Sequence, residues 1–84
     1  MDVVVEEKRY TGDNAPRDSF RIIGAYTKHS DAYMAAKKQF VSKPLVTGRE
    51  LIERLVYGVD MVTVGQISTS NCQRLINVYC VKGD

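Results

Sequence analysis

Eighty-four residues, 44% apolar and 26% charged, have the composition of a folded globular chain rather than a disordered one, and they leave room for a single core. Twelve basic against ten acidic residues give a net charge of +2, too balanced to predict nucleic-acid binding from the global field alone, though a local basic patch stays open. No apolar run approaches the roughly 18–20 residues that span a bilayer, and the start, MDVVVEEKRY, lacks the cationic and apolar regions of a signal peptide. Residues 1–84 are therefore expected to form one α+β domain in the cytoplasm, with no membrane association.

In chain order, Val3-Val4-Val5 begins a strand over residues 2–10 that is expected to become solvent-exposed toward Tyr10. RYTGDNAPRDSF, residues 9–20, interrupts it with turn-forming residues. Phe20–Tyr26 then reads as a second strand, joined to the first as an antiparallel hairpin. Phe20, Ile22, Gly24 and Tyr26 alternate with Arg21, Ile23, Ala25 and Thr27, so both faces are partly apolar. That pattern predicts a central strand covered on both sides.

Ser30-Asp31 has the chemistry of a helix start, and Ala32, Ala36 and Phe40 recur at i, i+4, i+8. Pro44 disfavours helical geometry at Lys43, which places the end near Val41 or Ser42. Thr47-Gly-Arg-Glu50 matches a capping box, with Leu51, Ile52, Leu55 and Val56 as the apolar stripe and Gly58 as a left-handed stop. Glu50 and Arg54 are spaced for an i, i+4 ion pair. Residues 59–67 and 73–81 read as strands around the turn Ser68–Asn71, with Ile76, Val78 and Cys80 on one face of the last strand and Leu75, Tyr79 and Val81 on the other.

The order is thus ββααββ, which predicts an α+β fold with a four-stranded, mostly antiparallel sheet and two helices packed on one face. The opposite face is left open, although apolar side chains point both ways. An exposed apolar patch of more than a few hundred Å2 marks an interaction surface.

Residues able to do chemistry are few. His29 is the lone histidine and stands where a strand hands over to a helix; no orienting group or oxyanion site accompanies it, so a polar connector is the simpler reading. Cys72 and Cys80 on one extended strand would lie about 26 Å apart, beyond the roughly 7 Å limit between Cα atoms for a disulfide, and neither has zinc-ligand spacing. Asp13, Asn14 and Asp18 lack the closing glutamate of a calcium loop, and Gly12 alone is no phosphate cradle. Neither a cofactor, a metal nor a catalytic residue is expected.

Asp13, Asn14, Arg17 and Asp18 remain as candidate partner contacts, because exposed loops on rigid scaffolds carry binding residues. Arg17, Arg21, Lys28, Lys37, Lys38 and Lys43, with Tyr10, Tyr26 and Tyr33 among them, are the residues a single-strand nucleic-acid binder would use.

Residues 21–36, RIIGAYTKHSDAYMAA, resemble a unit of small uncharacterised bacterial and phage proteins in which a strand ending in Ile-Gly-x-Tyr/Phe leads through a Ser/Thr turn into an Ala-rich helix. Its positions Gly24, Tyr26, Ala32 and Ala36 are packing residues, so the resemblance implies fold and no function. In size and in its lack of catalytic features the chain also looks like phage-encoded accessory proteins that bind and block host machinery, anti-CRISPR proteins included. The expectation is a non-catalytic binding or regulatory protein acting through protein–protein contact, of which a homodimer is one form. A nucleic-acid-binding accessory factor is the alternative.

Overall fold

Alternating β-branched residues and turn signals produce four strands and two short helices. The computed structural model, which describes residues 1–82, contains β1 (Asp2–Tyr10), β2 (Ser19–Tyr26), α1 (His29–Lys37), α2 (Gly48–Val56), β3 (Met61–Ser68) and β4 (Cys72–Cys80). The strands form one antiparallel sheet in the order β2-β1-β4-β3, so the fold is α+β in the expected ββααββ order.

β1 and β4 are the central strands, paired without a break from Asp2↔Cys80 to Tyr10↔Cys72. β2 therefore lies at an edge, which corrects the expectation that it would be central. Its two-sided apolar pattern has another origin. Residues Phe20 and Ile22, opposite Glu7 and Val5, are exposed on the open face, whereas Ile23 and Tyr26 pack against the core on the helix side. A bulge opposite Val4/Val5 switches the alternation between these two groups.

The core lies between the helices and the inner face of the sheet. Val4, Val62, Val64, Ile76 and Val78 meet Ala32 and Ala36 of α1 and Leu51 and Leu55 of α2. Small side chains on α1 let its backbone approach the strands. A second close approach fixes the connector. Gly65, beside a second bulge in β3, has no Cβ, and the Phe40 ring occupies the space a Cβ would fill.

α1 starts two residues earlier than an N-cap at Ser30 would place it, and it stops sooner than expected. Lys28 is its N-cap and makes no side-chain capping bond, and the helix ends at Lys37 instead of near Val41 or Ser42. The cause is tertiary. The Gln39 carbonyl accepts from Arg74 Nη1 at 2.8 Å, and Phe40 turns inward to Gly65, so residues 39 and 40 leave the helical path. After this turn, the Leu45 amide donates to the Val64 carbonyl at 2.9 Å and Tyr33 Oη donates to the Val46 carbonyl at 3.1 Å. The connector is thereby strapped to both β3 and α1.

α2 follows its sequence signals closely. The Thr47 hydroxyl accepts from the Glu50 amide at 3.1 Å, and Gly58 takes a φ of 95° just past the C-cap. The Glu50 carboxylate reaches the Thr47 hydroxyl at 3.2 Å. The i, i+4 ion pair is Arg49–Glu53 at 3.2 Å, in place of the expected Glu50–Arg54.

Gly65→Ala is expected to destabilise the fold by about 1–3 kcal/mol, because the Phe40 ring must move. Urea unfolding measures this, and Phe40→Leu in the same chain should recover part of the loss.

Candidate functional site

Three groups of side chains stand out: a charged cluster under the helices, a part-buried Asp–His pair, and the uncovered face of the sheet. The first lies midway along β1, whose burial falls toward its end as expected, with Arg9 exposed and Tyr10 half-buried. Glu6 is only 7% exposed. Its Oε2 accepts from Arg74 Nε at 2.6 Å, with Arg74 Nη2 at 2.5 Å, and Arg21 Nε stands 3.7 Å from Oε1. Burial alone would raise the Glu6 carboxyl, but the hydrogen bond and charge of Arg74, helped by Arg21 and Lys8, outweigh it and hold the group below the ordinary carboxylate range. With its bond to the Gln39 carbonyl, Arg74 is the brace between β1, β4 and the end of α1.

Asp2 was not raised by sequence reasoning, because a strand-start aspartate carries no signal of burial. It is fully buried, and its Oδ2 lies 2.5 Å from His29 Nδ1, while Oδ1 has no partner. His29, the first residue of α1, thus ties the helix start to β1. Among the described residues no group of three or more His, Cys, Asp or Glu side chains converges as a metal site. Cys72 and Cys80 are free thiols at opposite ends of β4.

The open face is divided. Toward β3 it is more polar, where the Thr63 hydroxyl donates to Asn77 Oδ1 at 2.7 Å, with the exposed Met61 opposite Tyr79 as its apolar member. Toward β2 it is apolar. Val3, Val5, Phe20, Ile22, Tyr79 and Val81, with Glu7, line a groove of about 380 Å3. Phe20 is 73% and Ile22 62% exposed. Tyr79 Oη donates to the Glu7 carboxylate, whose other oxygen stands 3.5 Å from Arg9. That hydrogen bond, then burial and the Glu7 charge, push the Tyr79 phenol above its ordinary value.

Glu7 and Phe20 also line an adjoining hollow with Lys8, Arg9, Asp18 and Ser19, which leads from the groove to the hairpin loop. In that loop Asp13, Asn14 and Arg17 are exposed, and Gly12 takes a φ of 121°. Asp18 is also exposed, yet its Oδ1 accepts from the Tyr10 amide at 3.1 Å and so closes the hairpin.

The basic residues are distributed among several settings. Arg21 faces Glu6, Lys38 lines a hollow with Asp31, and Lys37 and Lys43 share another with Glu50. Lys28 caps α1, and Arg17 lies in the hairpin loop. No helix among the described residues is long and apolar enough to cross a membrane. Comparison with protein-family models, curated proteins and solved structures finds no match to this chain.

Arg74→Met should cost up to about 3 kcal/mol, since it leaves the buried Glu6 with only the longer contact to the exposed Arg21; Glu6→Gln with Arg74→Met should recover part of this in chemical denaturation. Because the Glu6 carboxyl is depressed in the fold, its contribution is complete above the ordinary value of 4.5 and is lost as pH falls through its lower folded value. Acid unfolding of Glu6→Gln should lack that leg. The raised Tyr79 phenol has the opposite sense: its contribution is present below the ordinary value of 10.0 and is lost as pH rises through the folded value. In a spectroscopic alkaline titration, Tyr79→Phe should remove a tyrosine that ionises above its ordinary value.

Proposed function

We propose that this chain is a small non-catalytic binding or regulatory protein that works by protein–protein contact, in the manner of phage-encoded accessory proteins that inhibit host machinery. The observation that carries this reading is the divided open face. Both helices cover the other side of the sheet, while an apolar groove beside β2 faces solvent, with Phe20 and Ile22 as its most exposed walls. An apolar centre with a polar rim is the anatomy of a protein interface. Here Glu7, Arg9 and Asp18 supply the near rim, and Asp13, Asn14 and Arg17 of the hairpin loop extend it. The partner is expected to insert an apolar anchor side chain into the groove; a second copy of the chain is the homodimeric form of the same contact.

Affinity capture from the source cell, repeated with single variants, tests this reading. Ile22→Lys and Phe20→Lys change exposed side chains and should leave thermal stability within about 0.5 kcal/mol, while lowering partner retention at least tenfold. Replacement of residues 12–18 by an Asn-Gly turn should weaken retention less. Undiminished capture by both lysine variants would remove the groove as the contact, and retention of nucleic acid that falls steeply with salt would favour the oligonucleotide alternative.

A further inference from the structure

The edge of β2 adds a second recognition element beside the groove. Among the described residues, the β2 backbone pairs only with β1, so the outer edge of an eight-residue strand is free. The opposite sheet edge differs, because the Leu45 amide already occupies the Val64 carbonyl of β3. Free edges template the pairing of another strand unless they are blocked. β2 carries one charged residue, Arg21, whose charge is partly met by Glu6.

A hollow of about 400 Å3 runs beside this edge on the helix side. Its floor is Ile23 and Tyr26 of β2 with Met34 and Ala35 of α1, and Met34 is 48% exposed. Its two ends carry opposite charges, Asp31 and Lys38. α1 runs back along β2, because the chain reverses at residues 27 and 28. Asp31 therefore stands toward the Tyr26 end. Lys38 stands toward the Arg21 end, where Arg74 joins the neighbouring Gln39 carbonyl to Glu6. Asp31 and Lys38 are seven positions apart, about 10 Å along a helix. Same-face residues i and i+4 of a strand span about 13 Å, so long charged side chains at those positions reach both ends of the hollow.

We propose that an extended segment of a partner protein adds to β2 as an antiparallel fifth strand and lays alternate side chains into the hollow between β2 and α1. This rests on the reading that the chain works by protein contact, and it names a second site for that contact. An antiparallel strand places its N-terminal part at the Asp31 end. The segment it fits is thus basic–x–apolar–x–acidic: a Lys or Arg toward Asp31, an aliphatic residue over Ile23, Met34 and Ala35, and a carboxylate toward Lys38. Backbone hydrogen bonds to the edge supply affinity, and the hollow supplies selection among sequences.

The test is a displayed library of randomised extended peptides of about seven residues, panned against the full chain. Enrichment of the basic–x–apolar–x–acidic order is expected. A synthetic enriched peptide should slow amide exchange in β2 and shift the resonances of Met34 and Ala35. The double variant Asp31→Lys, Lys38→Glu should weaken that peptide on the order of tenfold and favour its charge-reversed counterpart. Both positions are exposed, so the expected cost to folding is only that of two unfavourable charges at the ends of α1. No enrichment, or enrichment indifferent to the charge swap, overturns the proposal. Enriched peptides that instead perturb Val3, Tyr79 and Val81 and are lost in Ile22→Lys also overturn it, while leaving the open-face reading standing. A concentration-dependent dimer with protected β2 edges would make a second copy the occupant and overturn the peptide assignment.

Discussion

The Arg74 guanidinium is the constraint on which the arrangement depends. From one position on β4 it neutralises the buried Glu6 carboxylate of β1 and takes the Gln39 carbonyl at the end of α1. The first contact fixes charge inside the layer between helices and sheet. The second helps end α1 where Phe40 can turn into the space over Gly65. The connector that follows then reaches the β3 edge through Leu45. Without the guanidinium, the carbonyl after α1 would lose its partner and the buried carboxylate would keep only the longer contact to Arg21, and a poorly compensated charge is far more costly inside a fold than on its surface.

The local signals in the chain are those the structure honours. Thr47 and Glu50 cap α2, Gly58 stops it, and the alternation of Ile76, Val78 and Cys80 with Leu75 and Tyr79 assigns the faces of β4. What could not be read locally was decided by partners distant in sequence. Glu6 looked like part of a solvated charged run because Arg74, its counter-ion, lies 68 residues away. β2 looked central because a bulge lets one strand show apolar residues to both sides even at an edge. α1 looked longer because periodicity includes Phe40, which is a core residue after the helix rather than within it. The candidate site was legible only as an open sheet face. Which part of that face is apolar follows from the sheet order, and sheet order has no local signature.

The two surfaces beside β2 share a cause. Placing the first hairpin at the edge leaves Phe20 and Ile22 without neighbours on one side and Ile23 and Tyr26 under the rim of α1 on the other. The hairpin loop then extends from the same end of the sheet as the hollow lined by Glu7, Phe20 and Asp18. One topological choice therefore concentrates exposed apolar surface, free backbone and a projecting loop on one margin, whereas α2, β3 and the connector are tied to one another.

The pairing of β1 with β4 also governs how the chain reaches this state. These strands hold the centre of the sheet, yet Asp2 meets Cys80 and Val4 meets Val78, so β2, both helices and β3 all lie in the long stretch of chain between them. Local hairpins β1–β2 and β3–β4 can form early, each with a bare inner edge and half of an apolar face. Neither buries Val4 or Val78 until the two zip together. Topology makes the search for that single long-range register, rather than the formation of helix or hairpin, the expected slow step of folding. Until it is complete, the exposed inner edges of β1 and β4 are the part of the molecule most open to pairing with the wrong chain.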